Sequence, residues 1–331
     1  MKSTFAAQER LPALENCPEN KVSSASLESH GAAVTITSVS YHGWPDCYQI
    51  SNGRVEALVV PSIGRVMQLR LAGAAEGAFW ENRALDGQLH APESDEWINF
   101  GGDKCWPAPQ TDWPRFQGRA WPPPVAFDAL PLDADATERG VVLTSIVDPG
   151  FGIQVTRHVE LDATQPVLRI RTEYHKLRGE AVKVGVWSIT QMRAPERVYF
   201  LLPEKSVFTE GYIRLMETEP EGLRRDGRLL SMTRSPRENA KIGSDAVSLA
   251  WVERKCVVRI DAESGPGEFP DGGCVTEIYT NADPLAYVEL EAMGPLTKLS
   301  AGDRIERATV YTITARTTPD PEAEARRIFC L

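Results

Sequence analysis

Long apolar runs are missing from this sequence. The longest are short pieces such as Ala57 to Pro61, far below the roughly 20 residues a membrane-spanning helix needs, so no bilayer-crossing segment is expected. Basic runs are missing too. The 36 Lys and Arg residues are outnumbered by 46 Asp and Glu, for a net charge of −10, and no basic cluster is present to release counterions from nucleic acid or to meet anionic lipid headgroups. No nucleic acid and no membrane is expected as a partner, which leaves small molecules or neutral polymers. Histidine and cysteine are scarce. The five histidines, at 30, 42, 90, 158 and 175, never stand two or four residues apart, and the six cysteines, at 17, 47, 105, 256, 274 and 330, form no C-x-x-C pair. A histidine-based metal cage and a disulfide scaffold are therefore not expected, the thiols reading as buried or free with at most one disulfide. No metal and no cofactor is expected. The first residues, Met1 to Arg10, lack the apolar stretch of a secretory signal because charge returns at Glu9 and Arg10, which points to the cytoplasm.

What is present is β texture. A length of 331 residues fits one large β unit or two smaller domains. Residues 1–30 are polar and without period, and read as an N-terminal arm. From about Thr35 onward, short β-branched and aromatic runs alternate with period two, as in Ile153 to Leu161 and Val167 to Tyr174, the signature of half-buried antiparallel strands. Further strands are expected at 182–190, 197–202, 206–209, 247–252, 256–261, 274–280, 285–292 and 305–315. Turn signals such as Ser51-Asn52-Gly53 and Pro270-Asp271-Gly272-Gly273 separate neighbours. Fifteen or so strands in one run predict an all-β sandwich as a single domain over 31–331. It ends in a helix at about 320–329, which Asp320 caps, Pro321 opens, and Arg326 and Arg327 close.

One segment departs from this texture. Five of the eight tryptophans, Trp80, Trp97, Trp106, Trp113 and Trp121, lie among Pro92, Pro107, Pro109 and Pro114 and before Pro122-Pro123-Pro124. So much proline predicts a long shaped loop on a β scaffold. At its centre is Asn99-Phe100-Gly101-Gly102-Asp103-Lys104-Cys105-Trp106-Pro107-Ala108-Pro109-Gln110. The glycines permit close backbone approach, while Asn99, Asp103, Lys104 and Gln110 supply donors and acceptors and Trp106 an apolar face. That combination suits a sugar, with its apolar C–H face and hydroxyl rim; alternatively, the tryptophans only pack a loop onto the sandwich.

Two strands carry further candidates. In Tyr287-Val288-Glu289-Leu290-Glu291, alternation sends Val288 and Leu290 to one face and Glu289 and Glu291 to the other, about 7 Å apart. Two carboxylates that close can divide acid and base roles, unless they lie on a solvated outer face. In Trp187-Ser188-Ile189-Thr190-Gln191, Trp187 and Gln191 share a side, and a buried Gln needs a partner, in a ligand or in the structure. Arg157, among Ile153, Val155, Val159 and Leu161, is either paired with a carboxylate or placed at a pocket rim.

These residues resemble a family. The order of elements is similar to the galactose-mutarotase-like β-supersandwich over roughly residues 45 to 315. The Gly-Gly-Asp-Lys-x-Trp-Pro-Ala-Pro-Gln and Glu-Leu-Glu-x-x-Gly-Pro motifs resemble an uncharacterised bacterial branch of it. The resemblance implies a small-molecule carbohydrate as partner. It implies that Arg65, in Pro61-Ser62-Ile63-Gly64-Arg65, points toward the sugar cleft, and that Glu291 matches the glutamate that acts as base on the anomeric hydroxyl of aldose 1-epimerases. Their catalytic histidine has no counterpart in Trp187 to Gln191, and Phe100 stands where a second histidine precedes a Gly-Gly pair. The acid must then be Asp103, Lys104 or Glu289. The expected function is that of an isomerase or epimerase on a sugar or sugar acid with Glu291 as general base. The alternatives are a carbohydrate lyase or hydrolase and a non-catalytic carbohydrate-binding protein. Lys104 and Arg65 favour an anionic sugar by their charge, and the oligomeric state is not indicated.

Overall fold

The computed structural model describes residues 33–91, 94, 96–263 and 265–331; the expected arm over 1–30 lies outside them. Two antiparallel sheets hold the described strands. The first begins with Thr35–Tyr41 (β1), Trp44–Ser51 (β2), Val55–Val60 (β3), Arg65–Leu71 (β4) and Asp103–Ala108 (β5). The second takes up the chain with Asp133–Ala136 (β6), Gly140–Thr144 (β7), Ile153–Leu161 (β8) and Val167–Lys176 (β9). The long strand Val182–Arg193 (β10) returns to the first sheet beside β5, and Arg197–Leu201 (β11) joins the second. Short strands Ile213–Arg214 (β12), Arg224–Asp226 (β13) and Leu229–Met232 (β14) follow, then Ala240–Ser244 (β15), Ser248–Val252 (β16) and Cys256–Ala262 (β17). Thr276–Thr280 (β18), Tyr287–Met293 (β19), Thr297–Leu299 (β20) and Arg304–Ala315 (β21) complete the set. In space the first sheet reads β1-β2-β3-β4-β5-β10-β19-β18-β15-β12, and β20 also pairs with β10.

The local chemistry accounts for these elements. At Ser51-Asn52-Gly53, Asn52 Oδ1 accepts from the backbone N–H groups of Arg54 (2.9 Å) and Val55 (3.0 Å), closing a turn that Gly53 enters at φ 79°. Alternation then turns Val55, Ala57 and Val59 into a core shared with Val141, Leu143, Val159 and Leu168 of the second sheet, so the two sheets pack face to face. The C-terminal helix, Pro321–Phe329, lays Ala325, Ile328 and Phe329 against Tyr199, Ala250 and Val257.

The structure corrects the expected elements in three places. Residues 206–209 form bends and turns instead of a strand, and two short helices, Trp113–Gln117 and Val125–Asp128, stand in the proline-rich stretch. The stretch also contributes β5 to the middle of the first sheet. Its proline is tolerated because β5 shares a single register pair with β4, Val66↔Asp103, while its full length is paired with β10. Beyond Asp103 one side of β5 is therefore an edge, where a missing amide proton is harmless.

Asp103 itself faces inward between the sheets. Its carboxylate is ion-paired with Arg157 of β8 and accepts from the hydroxyls of Thr190 and Tyr311, each at 2.8 Å. Both charged side chains are buried, so Arg157 takes the paired alternative and not the pocket rim. With every oxygen engaged on the core side, Asp103 leaves the proton-transfer candidates. Removing one partner of such a pair strands the other charge in a dry interior, so Asp103→Asn is expected to cost about 3–5 kcal/mol of stability. Urea unfolding at neutral pH checks this, and a loss under about 1 kcal/mol would contradict the role given to the pair.

Candidate functional site

The chemistry gathers on the opposite face of the first sheet, across five adjacent strands. Register aligns the side chains in rows. Trp106 of β5 pairs with Trp187 of β10; Lys104 pairs with Ile189, Ile189 with Glu291, and Glu291 with Glu277 of β18. In the next row Gln191 pairs with Glu289, Glu289 with Tyr279, and Tyr279 with Lys241 of β15. Because Val288 and Leu290 belong to the inter-sheet core, period two forces Glu289 and Glu291 outward. This outward face is nevertheless covered, since Glu291, Lys104 and Gln191 are at most 1% exposed. The segments before and after β5 roof it: Trp80 lies against Tyr287 with ring centroids 4.7 Å apart, and Trp97 and Trp121 pack edge-on to Trp106. Glu289 and Glu291 are thus not on a solvated outer face.

Glu291 is held on one oxygen only. Its Oε2 accepts from Trp187 Nε1 at 2.7 Å and from Lys241 Nζ at 3.0 Å, whereas Oε1 is buried without a hydrogen-bond partner. Lys241 is shared, standing 2.6 Å from Glu277 Oε2. Burial pushes both carboxyl groups above the usual range against the pull of Lys241, Glu277 well above it. Lys104 is treated differently. Its Nζ has no hydrogen-bond acceptor, lies 3.6 Å from Glu289 Oε1, and sits 5.0 Å over the Trp106 ring. Burial lowers its pKa, and Glu289 only partly opposes this.

The other expected ligands divide. Gln191 Nε2 donates to Glu289 Oε1 at 2.9 Å, leaving its own Oε1 without a partner, and Asn99 and Gln191 both approach the Tyr287 hydroxyl. Arg65 is spent on structure: it pairs with Asp128 at 2.8 Å, and the same Asp128 oxygen accepts from Trp106 Nε1 at 2.8 Å. Arg65 therefore positions Trp106 and presents no spare charge, and Lys104 is matched by Glu289, so the expected pull on an anionic sugar disappears. Gln110 is exposed at the start of the turn Gln110–Asp112 and makes no side-chain hydrogen bond to the cluster. Three further residues belong to the site, Asp128, Lys241 and Glu277. The run Thr276-Glu277-Ile278-Tyr279-Thr280 carries the same outward alternation as Glu289 and Glu291, a signal for Glu277; nothing local marks Asp128.

A carboxyl group whose folded pKa lies above its unfolded value takes up a proton on folding. The resulting stability is present below the unfolded value, near 4.3, and falls as pH rises toward the folded pKa. Wild type should therefore lose stability from about pH 5 upward through the Glu277 contribution. Glu277→Gln, which supplies a neutral group from the start, should flatten that loss in urea titrations compared at pH 5 and pH 8. Parallel curves for the two proteins would mean that Glu277 is ionised in the fold.

No family model and no curated protein sequence matches the chain. Solved structures do. A galactose mutarotase-like protein from Lactobacillus casei superposes with a TM-score of 0.55 at 10% identity, covering 81% of this chain and 100% of that one. A galactose mutarotase-like protein from Clostridium acetobutylicum gives 0.55 at 10% identity over 86% of this chain and 99% of its own. An Escherichia coli protein, provisionally assigned as an aldose 1-epimerase, gives 0.53 at 12% identity over 82% and 99%.

Proposed function

We propose that this chain, whose fold is the galactose-mutarotase-like β-supersandwich, binds a small carbohydrate on the Lys104–Glu291 face and interconverts its anomers. Five polar atoms carry the proposal: Lys104 Nζ, Asn99 Nδ2, Trp97 Nε1, Gln191 Oε1 and Glu291 Oε1 are all buried without a hydrogen-bond partner. Native interiors rarely leave so many such groups unmet in one place. A polyhydroxyl ligand, whose groups donate and accept alike, would satisfy all of them, with Trp106 and Trp187 offering rings to its C–H face.

The proton transfers follow from the two environments. Glu291 Oε1 takes the proton of the anomeric hydroxyl, a task helped by a carboxylate whose basicity burial has raised. Lys104, whose ammonium is made more acidic by the same burial, protonates the ring oxygen. The bond from C1 to the ring oxygen breaks, C1 becomes a carbonyl, rotation exposes its other side, and reclosure returns both protons. Lys104 and Glu291 flank Ile189 on successive strands, so their Cα atoms stand about 10 Å apart, two strand spacings. Glu289 positions both the Lys104 ammonium and the Gln191 amide.

Anomer exchange of a panel of aldoses, followed by polarimetry and by NMR, tests the proposal. Glu291→Gln should slow exchange by about 10²–10⁴-fold, the usual range for one acid–base group, without loss of sugar binding. A rate unchanged in the variant removes Glu291 as the base. Binding without acceleration in wild type would make the chain a carbohydrate-binding protein.

A further inference from the structure

We propose that Lys104 is also a covalent site, at which its amine condenses with C1 of an open-chain aldehyde sugar to give an imine. This rests on the ring opening above and takes it one bond further. The two lysines of this face are built for different tasks. Lys241 is ion-paired with both Glu277 at 2.6 Å and Glu291 at 3.0 Å, and these two carboxylates hold it as an ammonium. Lys104 has no hydrogen-bond acceptor at all, and its nearest carboxylate is 3.6 Å away. It is almost fully buried and lies over the Trp106 ring, and burial lowers its pKa against the pull of Glu289. A lysine desolvated in an apolar setting is a standard source of a nucleophilic amine.

Ring opening itself delivers the reactants. Lys104 is neutral once it has given its proton to the ring oxygen, and the new carbonyl carbon is the atom that was bonded to that oxygen. The Nζ lone pair forms the N–C1 bond, one Nζ hydrogen passes to the carbonyl oxygen, and the hydroxyl then leaves with the proton held by Glu291. Water, the Glu291 carboxylate and a protonated imine result. Amine and aldehyde account for every atom, and no oxidant or reductant takes part.

The test is reductive trapping on the full chain at pH 7. Wild type is incubated with sodium cyanoborohydride and either glycolaldehyde, which is too short to close a stable sugar ring, or D-glucose, and labelled lysines are mapped by peptide mass spectrometry. Lys104 should label at least about tenfold faster than any of the exposed residues Lys183, Lys205, Lys255 and Lys298. Lys104→Met should lose that adduct alone; should this variant fail to fold, the wild-type map decides by itself. Label confined to the exposed lysines with both probes overturns the proposal. Anomer exchange measured in parallel keeps the two readings apart. Exchange that depends on Glu291 with no label at Lys104 removes only the imine, whereas a Lys104–glycolaldehyde adduct without sugar turnover removes only the epimerase reading.

Discussion

Glu277 and Glu291 are direct neighbours across the ladder of β18 and β19, and two carboxylates at that spacing, out of water, cannot both be charged without a cation between them. Lys241 stands between them, and burial still keeps the Glu277 carboxyl well above the usual range. The position of Lys241, bonded to Oε2 of Glu291, leaves the other oxygen of that carboxylate, Oε1, without a partner. The Trp187 indole reinforces the same choice from the other side. Everything else on the face is arranged around charges that are already matched: Arg65 with Asp128, Lys104 with Glu289.

The two faces of the first sheet show how position decides the fate of similar chemistry. On the inner face Asp103 and Arg157 form a saturated pair that braces the sheets. One residue further along β5, Lys104 points the other way and is left without a hydrogen bond. Both residues are charged, buried and part of one motif; only the pleat separates the saturated ion pair from the ammonium without a hydrogen bond. The tryptophans divide in the same way. Trp113 is sealed and donates to the Pro107 carbonyl, whereas Trp121, at 45% exposure, keeps an open face.

Burial without hydrogen bonding is the common property of the site. A sheet face roofed by Trp80, Trp97 and Asn99 excludes water from groups that would otherwise be solvated, and this raises the basicity of Glu291 and lowers that of Lys104 together. Their pKa values move toward each other, the condition the proposed proton transfers require.

Much of this was legible in the chain. Period-two alternation places Glu289 and Glu291 together on one face and Trp187 with Gln191, because that signal is local and the backbone obeys it wherever a strand forms. The all-β class and the closing helix follow from the same kind of pattern. Proline misled the reading of β5, since whether a missing amide proton matters depends on which side of a strand is paired, a property of the sheet and not of the segment. Asp103 could not be told from Lys104 as a site residue for the same reason. Tertiary packing alone decided that Lys241 meets Glu291, that Asp128 holds Arg65 and Trp106, and that Gln110 stays outside. The Lys241–Glu291 and Arg65–Asp128 contacts join residues 50 and 63 positions apart, and no local periodicity records which segments become neighbours.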